Sequence, residues 1–141
     1  MSIVDPIDKC VDVVAFGTSD GDLVQQWSCN GGDNQLWALT PVDAGHYVIV
    51  NRNSRKCLDV NAFDRSDGAR VQQWSCNGGP NQQWHLDRGV VRHYYKLVNR
   101  NSEKCLDVNG FDRVDGARIQ QWSCNDGANQ QFTFWQSRWS R

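Results

Sequence analysis

A carboxylate and an indole recur together along this chain, three times and at one spacing: Asp12 with Trp27, Asp59 with Trp74, and Asp107 with Trp122, fifteen residues apart in each case. Each Asp follows a Cys by two residues, and each Trp precedes one by two. Gln25, Gln72 and Gln120 stand two residues before the Trp. An indole is a flat apolar plate that suits the C–H face of a pyranose. A carboxylate can accept two neighbouring hydroxyl donors, and amides both donate and accept. This is chemistry for holding a sugar. An axial hydroxyl, as in galactose, leaves one ring face more continuously apolar, so the plate suits galactose in particular. It is poor chemistry for cutting a sugar. Glycoside hydrolysis needs two carboxylates flanking one bond, roughly 5 to 9.5 Å apart, and each copy here supplies one principal Asp. His46, His85 and His93 lie outside the repeated motifs, and nothing pairs a nucleophile with a base. No catalytic residues are expected.

The elements that must position these groups are themselves repeated. Val50 to Trp84 and Val98 to Phe132 agree at 28 of 35 positions without a gap, an internal duplication. A first copy follows the same frame from Lys9 to Trp37. Each copy is written in short alternating runs separated by turn signals, the pattern of strands. Asp20-Gly21, Asp67-Gly68 and Asp115-Gly116 suit a tight hairpin, and Asn30-Gly31-Gly32 with its counterparts marks a second turn. Seven Trp and twelve Gly against a single Met also favour strands and turns over helices. Propellers are typically built from four to eight blades, so three copies fit poorly there. The chain reads as all-β.

Six Cys allow 15 pairings, but a separation of 19 recurs within every copy, so a repeated fold favours Cys10 with Cys29, Cys57 with Cys76 and Cys105 with Cys124. Zinc is disfavoured because no two Cys stand two to four residues apart. No metal and no cofactor are expected. If the bridged strands are antiparallel, counting inward from Cys57 and Cys76 sets Asp59 opposite Trp74 and Asn61 opposite Gln72. The same count pairs Asp12 with Trp27 and Asp107 with Trp122. Leu58, Val60 and Val71 fall on the other face, which becomes the core face, leaving Asp59 toward solvent.

Gln35-Leu36-Trp37, Gln82-Gln83-Trp84 and Gln130-Gln131-Phe132 resemble the Gln-x-Trp signature of ricin-type (R-type) β-trefoil lectins and their carbohydrate-binding-module relatives, over nearly the whole chain. The resemblance implies a β-trefoil: a pseudo-threefold barrel of twelve short strands, four per repeat. It implies one domain over 1–141 with repeats of about 1–46, 47–94 and 95–141. Trp37, Trp84 and Phe132 are assigned to the common core, and Phe16, Phe63 and Phe111 with them. Carried onto matching positions, the sugar-binding set is Asp12, Gln25, Trp27, Asn34 and Gln35 in the first repeat. In the second it is Asp59, Gln72, Trp74, Asn81 and Gln82, with Gln82 steadying Asp59. In the third it is Asp107, Gln120, Trp122, Asn129 and Gln130. Asn30, Asn77 and Asn125 would sit near the sugar. The first copy departs where Val14 replaces Asn61 and Gly17 replaces Asp64, which weakens that site.

The resemblance implies a multivalent lectin whose partners are glycans. Galactosides lead, xylan or another plant polysaccharide is the alternative, and a catalytic domain could lie in a longer parent chain. A trefoil that binds protein and uses its repeats as scaffold is the second choice, because fold does not fix function. A scaffold must repeat its core, but nothing requires it to repeat Asp, Gln and Asn beside an outward Trp. A net charge of -1 argues against nucleic acid as a partner. Arg65, Arg70, Arg113 and Arg118 read as solvated surface. No stretch approaches the ~20 apolar residues that span a bilayer, so no membrane insertion is expected. Disulfides imply an oxidising, extracellular setting, and the opening residues lack a signal-peptide core, so a targeting segment is expected to have been removed or never present.

Overall fold

The structure is a computed structural model that describes residues 1–136; the last residues assigned to the third repeat, 137–141, lie outside the described residues. Twelve strands run through the described residues. They are β1 (Ser2–Val4), β2 (Lys9–Val13), β3 (Val24–Ser28), β4 (Trp37–Pro41), β5 (His46–Asn51), β6 (Cys57–Val60), β7 (Val71–Trp74), β8 (Gln83–Arg88), β9 (Tyr95–Asn99), β10 (Cys105–Val108), β11 (Ile119–Trp122) and β12 (Thr133–Trp135).

Six of them close a barrel. β4 pairs with β5, β5 with β8, β8 with β9, and β12 with β1, all antiparallel. Two backbone links complete the ring: Trp37 N–H donates to the Met1 carbonyl at 2.8 Å, and Tyr95 and Phe132 exchange bonds of 2.8 and 2.9 Å. A closed ring leaves no strand edge open to pairing with another chain. The other six strands form three hairpins, β2–β3, β6–β7 and β10–β11, one per repeat. Isolated bridges Leu23 to Gln72, Arg70 to Gln120 and Gln25 to Arg118 tie the hairpins into a cycle.

The hairpin turns need glycine. Gly21, Gly68 and Gly116 have φ of 91°, 87° and 93°, a region L-residues avoid. Each turn reaches across to the next repeat: Gly21 N–H bonds to the Gln73 carbonyl, Gly68 to Gln121, and Gly116 to Gln26, all at 2.8 Å. The core collects one face of every hairpin and the barrel interior. Leu58, Val60, Val71, Ile49, Leu97, Trp84 and Phe132 are wholly buried, and Trp37 is 1% exposed. The Trp37 and Trp84 indoles donate to the Val11 and Leu58 carbonyls, which removes the cost of burying an N–H. The core assignment of the motif aromatics therefore holds.

All three disulfides pair as the spacing requires, Cys10–Cys29, Cys57–Cys76 and Cys105–Cys124. The register counted from them does not hold. β7 ends at Trp74, so Cys76 lies beyond the strand, and the residue opposite Cys57 is Trp74. Asp59 faces Gln72, not Trp74, and Asn61 has left the strand for a 3-10 turn. A displacement of two positions preserves the face on which each side chain stands. The expected core face is therefore correct even though the expected partners are not.

Candidate functional site

Each hairpin carries a cleft on its outer face, and its floor is a buried carboxylate. Asp59 Oδ1 accepts from Gln72 Nε2 at 3.0 Å, and Oδ2 accepts from Gln82 Nε2 at 2.9 Å and Asn81 Nδ2 at 3.3 Å. The arrangement recurs at Asp12 with Gln25, Gln35 and Asn34, and at Asp107 with Gln120, Gln130 and Asn129. Asp59 is only 2% exposed, so its expected orientation toward solvent is corrected: the strand face is outward, but the 3-10 turn at Pro80–Gln82 folds over the carboxylate. Three of its roughly four acceptor positions are occupied, which leaves room for one hydroxyl donor instead of two. Burial pushes the carboxyls of Asp12, Asp59 and Asp107 above their ordinary range, and the amide hydrogen bonds oppose that shift.

The wall of each cleft is the indole of Trp27, Trp74 or Trp122, at 39%, 40% and 41% exposure. The indole stands two residues along the strand from the Gln that faces the Asp, so it is diagonal to the carboxylate on the same face. Its back is supplied by the preceding repeat. A Cβ on Gly21 would lie 3.8 Å from the Trp74 ring, one on Gly68 3.7 Å from Trp122, and one on Gly116 3.9 Å from Trp27. Each cleft is thus assembled from two repeats. The clefts hold about 200, 290 and 340 Å³ at the second, third and first repeats. That is near the small end of ligand pockets and suits one small ring.

Most of the expected residues come together. Asp, Gln, Trp and Asn of each set line one cleft, joined by Asn30, Asn77 and Asn125. Gln35, Gln82 and Gln130 do not line it. Gln82 stands behind Asp59, donating also to the Ser75 carbonyl and accepting from Asn77 N–H, so its hydrogen-bonding groups are all engaged within the protein. Asn81 donates to Asp59 and the Val60 carbonyl, while its buried Oδ1 has no partner and sits under Gly79, where a Cβ would approach to 2.7 Å. Only glycine admits that approach.

A model of ricin-type beta-trefoil lectin domain-like proteins matches residues 7–74, 44–122 and 80–139, nearly the whole chain.

The chain belongs to this ricin-type β-trefoil lectin-like family.

Solved structures agree. A designed threefold-symmetric protein, ThreeFoil, is 46% identical, with TM-score 0.91 and coverage of 94% of each chain. An exo-β-1,3-galactanase from Clostridium thermocellum is 34% identical with TM-score 0.90 over 94% of this chain, which spans only 29% of the galactanase. A ricin B-like lectin of Macrolepiota procera, solved with lactose, shares the fold at 18% identity and TM-score 0.80, covering 94% of this chain and 91% of the lectin.

Two features of this ricin-type chain escape the sequence reading. Phe16, Phe63 and Phe111 are not in the core: they are 52%, 50% and 41% exposed, with φ of 55°, 58° and 53°. A bulky side chain in that left-handed region costs roughly 1–2 kcal/mol, and hydrophobicity alone gives no sign of it. The second is the adjacent glutamine. Gln73 is fully buried and donates to the Gly17 and Ser19 carbonyls of the preceding turn, as Gln121 does to Asp64 and Ser66, and Gln26 to Asp112 and Val114. Asp20 reinforces each junction by accepting from Ser75 and Lys56, with Asp67 on Ser123 and Lys104, and Asp115 on Ser28 and Lys9. Hydrogen bonds, from Ser75 to Asp20 and from Ser123 to Asp67 above all, and from Lys9 and then Ser28 to Asp115, hold the three turn carboxyls below the usual range.

The first cleft departs less than expected. Val14 does replace the cleft amide of Asn61, but Gly17 affects only the turn, where the Asp22 carboxylate fills the place its Cβ would take, 2.0 Å away.

Proposed function

We propose that this chain is a multivalent, non-catalytic galactoside-binding lectin domain with one sugar site in each repeat. The observation that carries the reading is the threefold recurrence of a half-exposed indole beside a buried, amide-held carboxylate, an arrangement the core does not require. A pyranose stacks its apolar face on Trp27, Trp74 or Trp122. One hydroxyl donates to the open acceptor position of Asp12, Asp59 or Asp107, and Gln25, Gln72 or Gln120 supplies an adjacent amide. Asn34, Asn81 and Asn129 sit where a ligand hydroxyl can share their amide hydrogens, and Asn30, Asn77 and Asn125 border the ring. Gln35, Gln82 and Gln130 position the carboxylates.

Galactose is favoured by the continuous apolar face that its axial hydroxyl leaves free. A lectin of this fold solved with lactose and a relative named for galactanase activity support that preference. Binding rather than hydrolysis is supported by the single carboxylate in each cleft lining, since cleavage needs two. The chain is read as one domain of three repeats, in an extracellular setting that keeps its three bridges oxidised. Its 29% span of the galactanase supports a module that can stand beside a catalytic domain.

Each shallow site is expected to bind in the millimolar to high-micromolar range, about -4 to -6 kcal/mol. A polymer that engages two sites gains about 10² in apparent affinity. An array of β-galactosides, β-1,3-galactan and xylan tests this. Wild type should retain galactosides and a Trp27→Ala, Trp74→Ala, Trp122→Ala variant should not; retention by that variant contradicts the site.

A further inference from the structure

The exposed phenylalanines have no task in the site as described, yet the chain keeps each of them in a backbone conformation that bulky residues avoid. Phe63 lines the same cleft as Trp74, and Phe16 the same cleft as Trp27. We propose that Phe16 and Phe63 form a second aromatic wall that holds the sugar linked to the one on the indole, so that the first and second clefts take a disaccharide or longer glycan in preference to a monosaccharide. This deepens the lectin reading and rests on it.

The polar floor and the indole already account for one ring: its hydroxyl edge turns to Asp59 and Gln72, and its apolar face to Trp74. In the proposed pose its anomeric side is directed toward the rim, where the next sugar would be attached. Phe63 lines that cleft with half its surface in water, its ring tip beside Gly79, where a Cβ would lie 3.3 Å away. At Phe16 and Phe63, where the strained residue also lines a cleft, the conformation points to a functional requirement for the side chain. The backbone does not need it. The Phe63 carbonyl accepts from Asn101 Nδ2 and the Phe16 carbonyl from Asn53 Nδ2, bonds that any residue would make, and glycine would adopt the same φ without strain.

The third repeat supplies an internal contrast. Phe111 is not part of its cleft lining, the Arg113 guanidinium lies 5.9 Å from its ring centre, and Gly110 replaces the alanine of the other two turns. That cleft has one aromatic wall.

Calorimetry of the intact protein with lactose and with methyl β-galactoside tests the proposal. Because glycine relieves the strain, Phe16→Gly, Phe63→Gly should keep or raise the Tm. It should lose about fivefold in lactose affinity, on the scale of one aromatic contact per site, with less than a twofold change for methyl β-galactoside. Phe111→Gly should change neither affinity. Parallel losses for the two sugars, unchanged lactose affinity, or a Tm lowered by several degrees with affinity intact would each overturn the second wall while leaving the lectin reading in place. Failure of wild type to bind either sugar would instead remove the galactoside reading on which the wall depends.

Discussion

Within one repeat the same residue type does opposite work in two regions. Trp84 is wholly enclosed in the barrel, its N–H bonded to the Leu58 carbonyl, whereas Trp74, ten residues earlier, holds 40% of its surface open above a polar floor. The barrel region is specified by burial of large apolar volume: Trp37, Trp84 and the smaller Phe132 all fill it. The hairpin region is specified by hydrogen bonds, with Asp, Gln and Asn at equivalent positions in all three copies. Stability should therefore reside mainly in the first region and binding in the second, coupled where each turn rests on the next repeat.

Reduction of the three bridges, one in each hairpin, should have the largest effect, since each constrains the unfolded chain by up to about 3 kcal/mol. Denaturant unfolding with and without reductant measures it, and an unchanged midpoint would deny the bridges that role. Next, Trp84→Ala should cost about 3–5 kcal/mol, a cavity in the barrel, without touching any cleft. Full stability in that variant would contradict the division of labour.

Asp59→Ala crosses the boundary. Its carboxylate satisfies Gln72, Gln82 and Asn81, so removal leaves buried donors unpaired at a cost of about 1–3 kcal/mol, along with loss of the second sugar site. If stability is untouched, the amides find other partners and the floor is less rigid than the hydrogen bonds imply. Among the three floor carboxylates, Asp12→Ala should cost least in binding, because Val14 has already removed one amide from that cleft.

Acid separates the regions in another way. The floor carboxyls are pushed up by burial, and the turn carboxyls are held down by hydrogen bonds from serine and lysine side chains. As pH falls, Asp12, Asp59 and Asp107 protonate first, above the ordinary ~3.9 of aspartate, and each loses its open acceptor position. That protonation favours the folded state, since their folded pKa lies above the unfolded one. The turn carboxyls act oppositely: their stabilisation is present above the unfolded aspartate pKa and is lost only as pH falls through their lower folded pKa. Sugar binding should thus fail at a higher pH than the fold, as parallel calorimetry and circular dichroism would reveal. Coincident loss would contradict the assignment.

Repetition makes the bridges legible, because a separation of 19 is written three times, and the resemblance carried by the Gln-x-aromatic motifs supplies the strand count and the inward aromatics. The partners across β6 and β7 were not legible. Cys76 looks like a strand residue, but the strand stops at Trp74, and nothing in the local sequence marks that end. The sign of φ at Phe63 is equally invisible, so a hydrophobic residue among short strands was placed in the core. In the Gln-Gln-Trp run, alternation separates Gln72 from Gln73, but the carbonyls that satisfy Gln73 belong to a turn more than fifty residues away.

The most direct test of the central claim uses the least disruptive change. Trp74→Ala, Trp122→Ala removes two plates that are partly solvent-exposed and should leave the circular dichroism spectrum intact. Retention on a surface of immobilised galactoside should fall by about 10² or more, because engagement of a second site is what makes retention strong. Free methyl β-galactoside binding to the remaining first site should persist at its weak intrinsic affinity. Undiminished surface retention by the folded double variant would contradict the multivalent site account and move the search to another face of the molecule.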